Sequence, residues 1–253
     1  MRAALAFLCR GGPRHYGNIL CCGDSQTHGG KYVTHAYRER MDVLLAANGH
    51  QYNWVGPRTT GAHASGKTSA DNGWAGADTS EVVDGTGDVT GSFASHLTTY
   101  APSLVIWMTG LNDWFKSDDQ ARPYRNYWLD PTVGAAVQAY ALATARTDYQ
   151  AMLDAAFNYA STLTLVWVNV QKIDETLAEA DDAFNYEGYN DFASQFNTLI
   201  NTMGDEQRAL GRKVKVIDAY SWVVTATHLG ADGKHWITAG SNTMGDYAYG
   251  GLF

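Results

Sequence analysis

One serine hydroxyl stands where a buried strand is expected to end. The run Asn18-Ile19-Leu20-Cys21-Cys22 is apolar, stops at Gly23-Asp24-Ser25 and passes into Gln26-Thr27-His28-Gly29-Gly30. Apolar β-formers closed by a glycine and a polar loop mark a strand end. In a parallel α/β sheet that place is the carboxyl edge, where ligands bind. A serine attacks an acyl carbon only when an imidazole takes its proton, a third group orients that imidazole, and donors receive the oxyanion. The chain offers each of these. Asp232-Gly233-Lys234-His235 puts a carboxylate three residues before a histidine. A tight turn at Gly233 lets Asp232 reach Nδ1–H of His235, and Nε2 is then left to face Ser25. A second buried run, Leu104 to Met108, ends in Thr109-Gly110-Leu111-Asn112-Asp113, so the Asn112 amide is expected at the same sheet edge. The glycine-rich stretch Asn72 to Thr79 offers a backbone N–H at Gly76. With the Ser25 amide, these make three oxyanion donors. Asp24 and Asp113 read as carboxylates that bond local amides and steady their turns, with Gly110 shaping the second one.

These residues resemble the SGNH, or GDSL-type, serine hydrolases. The first block of that family looks like Gly23-Asp24-Ser25-Gln26-Thr27. Its oxyanion glycine is met by Gly76, its Gly-x-Asn-Asp block by Gly110, Leu111, Asn112 and Asp113, and its Asp-x-x-His block by Asp232 and His235. The order and wide spacing agree over residues 18–245. Each motif is short, and the four together in order are specific. The resemblance implies a three-layer αβα sandwich, flavodoxin-like, with a parallel sheet of about five strands. It implies an ester hydrolase with Ser25, His235 and Asp232 as triad and Ser25, Gly76 and Asn112 as oxyanion hole, needing no cofactor and no metal. Tyr52 to Pro57 followed by Gly73-Trp74-Ala75-Gly76 is similar to the acetylxylan-esterase-type branch. Asn72 stands where that branch commonly has Glu, Ala75 where it has Ser, and Trp236 where proline usually follows the histidine. These departures leave the chemistry intact and bear on the substrate.

A chain of 253 residues can bury a substantial core. Its net charge of −8, with no block of lysines or arginines, argues against nucleic acid or an anionic membrane surface as partner. The 15 Tyr and 8 Trp suit either sugar stacking or a large aromatic core. Cys9, Cys21 and Cys22 are odd in number and show no framework spacing, so Cys21 and Cys22 read as small buried residues on opposite strand faces. No run approaches the roughly 18 apolar residues of a membrane span. Met1 to Arg10 imitates the start of a signal peptide but lacks a small-residue cleavage site. Residues 1–17 are therefore an arm or a signal remnant, residues 18–253 one hydrolase domain, and the compartment, secreted or cytoplasmic, stays open.

Helical spacing over 32–48 ends at Asn48-Gly49. A short strand near Tyr52 to Val55 precedes a long Gly/Ser/Thr/Asp loop over 56–78. A helix from Ser92 to Tyr100 precedes the strand Leu104 to Met108. Residues 110–132 read as a second long loop carrying Trp114, Phe115, Tyr124, Tyr127 and Trp128, suited to wall a substrate pocket. An alanine-rich helix over 133–160, a strand over 163–170, a helix over 186–210 and a strand from Val214 to Asp218 complete a βαβ alternation, which implies a parallel sheet.

Several rivals compete with this reading. Gly61-Ala62-His63-Ala64-Ser65-Gly66-Lys67-Thr68 fits the phosphate-loop pattern, and Val214 to Asp218 could supply a magnesium-assisting aspartate. That site needs a strand before the loop and a helix directly after it, and Gly73 and Gly76 follow instead. The Gly-x-Ser-x-Gly elbow of α/β-hydrolases does not occur. A carbohydrate-binding module on a hydrolase fold is the alternative from another class. A general short-chain carboxylesterase, then a lipase or thioesterase, are the alternatives within the class. The expected partner is a small ester or an acetylated carbohydrate. His28 adjoins the site in sequence and fits a loop role. His15, His35, His50, His63, His96 and His228 have no metal-binding spacing and are assigned none.

Overall fold

A computed structural model describes residues 12–29, 31–182 and 184–252. Cys9 and the signal-like segment lie outside these residues. The strands are β1 (His15–Gly23), β2 (Gln51–Val55), β3 (Arg58–Ala62), β4 (Thr68–Gly73), β5 (Leu104–Met108), β6 (Thr164–Val168) and β7 (Lys213–Ile217). The helices are α1 (Ser25–His28), α2 (Tyr37–Ala47), α3 (Thr79–Asp84), α4 (Phe93–Tyr100), α5 (Tyr124–Tyr127), α6 (Gly134–Tyr159), α7 (Glu175–Asp182), α8 (Tyr189–Ala209), α9 (Ala219–Trp222), α10 (Thr225–His228) and α11 (Thr238–Gly250). One 3-10 turn spans Asn112–Phe115.

Five strands run parallel in the order β2-β1-β5-β6-β7, which is the doubly wound flavodoxin-like order. The strands alternate strictly between two cores. Leu20, Cys22, Val105, Trp107, Leu165 and Trp167 face one, with side chains of α4, α6 and α8. Ile19, Cys21, Ile106, Met108, Val166 and Val168 face the other, with α2 and α11. A parallel sheet covered on both faces requires such continuous apolar strands, and the result is the three-layer αβα sandwich expected from the sequence. Cys21 and Cys22 are buried free thiols on opposite faces. Burial pushes the Cys21 thiol up to about 12, so it behaves as a small apolar group.

Three expectations need correction. The sheet has seven strands rather than five. The two extra come from residues 56–78, which are not a loop: β3 and β4 form an antiparallel hairpin, and β4 joins the end of β1 at Cys22↔Asn72 and Gly23↔Gly73. The few apolar residues hid this, because β3 is a half-exposed edge (Arg58-Thr59-Thr60-Gly61-Ala62) with no alternating pattern. The phosphate-loop-like sequence is the tip of this hairpin, closed by His63 N–H to Lys67 O at 2.8 Å and Gly66 N–H to His63 O at 2.8 Å. Lys67 lies over the Tyr52 ring at 4.7 Å. Finally, β1 begins at His15, inside the segment read as an arm. Among the described residues no helix is long and apolar enough to cross a membrane.

Candidate active site

The site lies at the carboxyl ends of β1 and β5. Gly23 closes β1 because nothing larger fits: a Cβ there would meet the Met108 carbonyl oxygen at 2.0 Å. Asp24 then caps α1, its Oδ1 accepting the Gln26 N–H at 2.9 Å, a bond of the N-cap type. Ser25 is thus the first residue of α1, where a backbone N–H has no acceptor within the helix. Asp24 is 1 % exposed. Burial pushes its carboxyl up to about 7, against the Gln26 hydrogen bond and the nearby His235.

The loop after α10 brings Asp232 and His235 to this serine. Gly233 turns with φ +67°, and a Cβ on it would strike the Asp174 carbonyl oxygen at 2.6 Å. Ser25 Oγ lies 2.8 Å from His235 Nε2, and His235 Nδ1 lies 2.7 Å from Asp232 Oδ2. An ionised carboxylate only accepts, so Nδ1–H is the donor and Nε2 is free to accept from the serine. Asp232 Oδ1 also accepts the N–H groups of Lys234 at 3.1 Å and His235 at 3.0 Å. Burial would raise the Asp232 carboxyl, but the bonds from His235, Lys31 and the backbone outweigh it and hold the group well below the usual carboxylate range. Residues 210 positions apart are thereby joined in one chain of hydrogen bonds.

Asn112 and Gly76 open on the same space. Both line, with Ser25 and His235, a crevice of about 610 Å³. The Asn112 amide donates one hydrogen to the Ala77 carbonyl at 2.9 Å, which leaves its second N–H for the crevice. Trp74 anchors the Gly76 loop, its N–H on Gly23 O at 2.9 Å and its Nε1–H on Asn72 Oδ1 at 2.6 Å. Asn72, at the position where the similar branch carries Glu, is therefore a support for that loop.

Among the other residues of the sequence reading, Asp113 and most of the loop aromatics have different roles from those expected, whereas Gly110 and His28 have the expected ones. Asp113 does not steady its own turn; its Oδ2 accepts the Thr79 N–H at 3.1 Å and hydroxyl at 2.9 Å, tying the end of β5 to α3. Its carboxyl is raised by burial, opposed by Lys116. Gly110 shapes the turn between β5 and Asn112, against Val170. Of the five loop aromatics only Phe115 lines the crevice. Trp114, Tyr124 and Trp128 are core residues, and Tyr127 packs against that core. His28 stands off the crevice, accepting from Arg58 Nη2 at 3.2 Å.

Sequence reasoning missed four supports. Gln26 Nε2 and Gln171 Nε2 both donate to the Lys234 carbonyl, at 2.8 and 2.6 Å, and Gln26 Oε1 accepts the Trp236 N–H at 3.4 Å. The residue after the serine thus latches the histidine loop. Lys31 Nζ reaches Asp232 Oδ2 at 2.8 Å and Asp181 at 3.1 Å. At the crevice wall the Arg125 guanidinium lies over Phe184 at 4.5 Å and Phe115 at 5.1 Å. Only the position of Gln26 beside Ser25 was a sequence signal; the rest are loop residues joined by the fold.

No family model matches the chain, and no curated protein matches it. Solved structures do. The family 3 carbohydrate esterase of Clostridium thermocellum is 19% identical, with a TM-score of 0.64 over 92% of this chain and 93% of that one. An acetyl esterase mutant, solved with an acetate ion, is 15% identical, with a TM-score of 0.63 over 93% and 95%. The lipase/acylhydrolase of Enterococcus faecalis is 16% identical, with a TM-score of 0.58 over 93% and 94%. At these identities the likeness is one of fold, and the fold is that of the SGNH hydrolases implied by the sequence resemblance.

Proposed function

We propose that this protein is a serine ester hydrolase that removes acetyl or other short acyl groups from a carbohydrate. The observation that carries the reading is the continuous chain Ser25 Oγ, His235 Nε2, His235 Nδ1, Asp232 Oδ2, with links of 2.8 and 2.7 Å, opening on a crevice that also holds Gly76 and Asn112. In the first half-reaction Ser25 Oγ bonds to the ester carbonyl carbon while its proton passes to His235 Nε2. The carbonyl oxygen becomes an oxyanion, received by the N–H groups of Ser25 and Gly76 and the free N–H of Asn112. As the tetrahedral adduct collapses, the carbon–alkoxy bond breaks and His235 gives its proton to the leaving alcohol. In the second half, His235 takes a proton from water, whose oxygen attacks the acyl-enzyme. The acid departs and the proton returns to Ser25 Oγ. Asp232 holds the imidazole tautomer and stabilises the imidazolium. No step requires a cofactor.

The carbohydrate part of the reading is supported by Phe115 and Phe184 at the crevice, their rings meeting edge to face at 5.4 Å, and by the charged groups around them, Lys116, Arg125 and Lys234. The carbohydrate and acetyl esterases among the similar folds favour it further. The test is acetate release from acetylated xylan, beside p-nitrophenyl acetate and butyrate, by wild type and Ser25→Ala. Serine-dependent release from both glycan and acetate ester is expected. Activity on the small esters alone would leave a general short-chain carboxylesterase. No serine-dependent hydrolysis would overturn the enzyme reading in favour of a binding module.

A further inference from the structure

The histidines without sequence spacing include two that the fold brings together. His35, just before α2, Glu39 on α2, and His63 at the tip of the β3–β4 hairpin each offer a ligand atom within 4.8 Å of the others. We propose that His35, Glu39 and His63 form a zinc site that staples α2 to the hairpin, apart from the ester-hydrolysing crevice.

The donor set and its geometry support this. His63 Nδ1 lies 2.9 Å from Glu39 Oε2, and the His35 and His63 rings are 5.0 Å apart between centroids. Ligand atoms around a tetrahedral zinc with bonds of about 2.0–2.1 Å stand roughly 3.4 Å apart, and the three donors already lie within 4.8 Å of one another. The other two side chains are only half-buried and can close the remainder by rotation. The His63 side chain is wholly buried, yet its Nε2 has no hydrogen-bond partner. A buried polar atom left so invites an ion or a water as its explanation. With Nδ1–H donating to the ionised Glu39, Nε2 carries an unshared pair. Two imidazoles and one carboxylate suit zinc rather than magnesium or calcium, which take oxygen ligands. Three protein ligands leave the fourth position to water.

The surroundings hold the ligands without the metal. Glu39 Oε1 accepts the Ala64 N–H at 2.9 Å, and Thr60 Oγ1 lies 3.2 Å from His35 Nδ1. On the same first turn of α2, Arg38 pairs with Asp71, Nη2 to Oδ2 at 2.8 Å. A zinc ion would add a link between two segments that precede and follow β2.

The test uses the full chain, stripped with a chelator and titrated with zinc chloride alone. Binding of one equivalent is expected, with a rise of several degrees in the unfolding midpoint at saturating zinc, because only the folded chain presents the site. Cobalt(II) substituted there should give the visible absorption of a tetrahedral ion. His35→Ala, at a half-buried position that the fold tolerates, and His63→Ala should each weaken zinc binding at least about tenfold and remove the midpoint shift. Zinc binding that is absent, or unchanged in both variants, would overturn the proposal and leave a hydrogen-bonded His63–Glu39 pair. Should His63→Ala fail to fold, His35→Ala alone decides.

Discussion

Asp24 lies one residue from the serine and carries a measurable consequence of its burial. Its carboxyl moves from an ordinary value of 3.8 to about 7 in the folded chain, because a charge there has 1 % of its surface in water. Between these values the folded state holds a proton that the unfolded state has released. The unfolded state binds fewer protons, so stability falls as pH rises through that window. At about 1.36 kcal/mol per pH unit the whole interval is worth about 4 kcal/mol, of which about 2.5 kcal/mol develops between about pH 5 and pH 8. Asp24→Asn keeps an oxygen to accept the Gln26 N–H and removes the titration. Urea unfolding of both proteins at the two pH values should therefore show the variant gaining about 2.5 kcal/mol on the wild type. Asp232 has the opposite sign. Its depressed carboxyl contributes stability that is complete above its ordinary value of 3.8 and lost on acidification below it, outside this window. A gap between the two proteins that is the same at pH 5 and pH 8 would refute the argument and show that Asp24 ionises normally in the fold.

Two further outcomes follow from the site. Asn112→Ala should lower turnover of p-nitrophenyl acetate roughly a hundredfold, about 3 kcal/mol of transition-state stabilisation; a wild-type rate removes Asn112 from the oxyanion hole. Gln26→Leu strips the acceptor from the Trp236 N–H and one donor from the Lys234 carbonyl, and should cost about 1–3 kcal/mol in urea unfolding. Unchanged stability would mean that Gln171 holds the loop alone.

The parts of the molecule that were legible in sequence are those where one residue type has one physical use. β5 and β6 are runs such as Leu104 to Met108 that only a buried strand accommodates. Ser25, Asn112, Asp232 and His235 stand at turns that follow or flank such elements; the structure brings Ser25, Asn112 and His235 to one crevice and buries Asp232 against His235 Nδ1. The β3–β4 hairpin was illegible because Arg58 to Ala62 and Thr68 to Gly73 hold hardly any apolar residues. They pair through their backbones at the sheet edge, and β4 is buried chiefly by polar side chains such as Ser69, Asp71 and Asn72. The loop aromatics misled for the opposite reason. Trp114 and Trp128 look like pocket walls in sequence, yet each finds one polar partner for its Nε1–H, Asn185 O at 2.9 Å and Asp191 Oδ2 at 2.8 Å, which lets the indole join the core.

The carboxylate of Asp232 shows how such missed residues shape the proposed chemistry. Its two oxygens receive the Lys234 and His235 N–H groups, the His235 imidazole and the Lys31 ammonium. A carboxylate with four donors has no capacity left to take a proton from the imidazole, so its part is to orient and to hold charge. Lys31 draws on the same oxygen that serves His235 and must weaken the attraction between Asp232 and the imidazolium formed during turnover. Its side chain is 41% exposed, and water screens that effect. The stronger contribution of Lys31 is therefore geometric. By bridging Asp232 and Asp181 it fixes the histidine loop to α7, while Gln26 fixes the same loop to the serine turn, so that His235 is held by two elements before any substrate arrives.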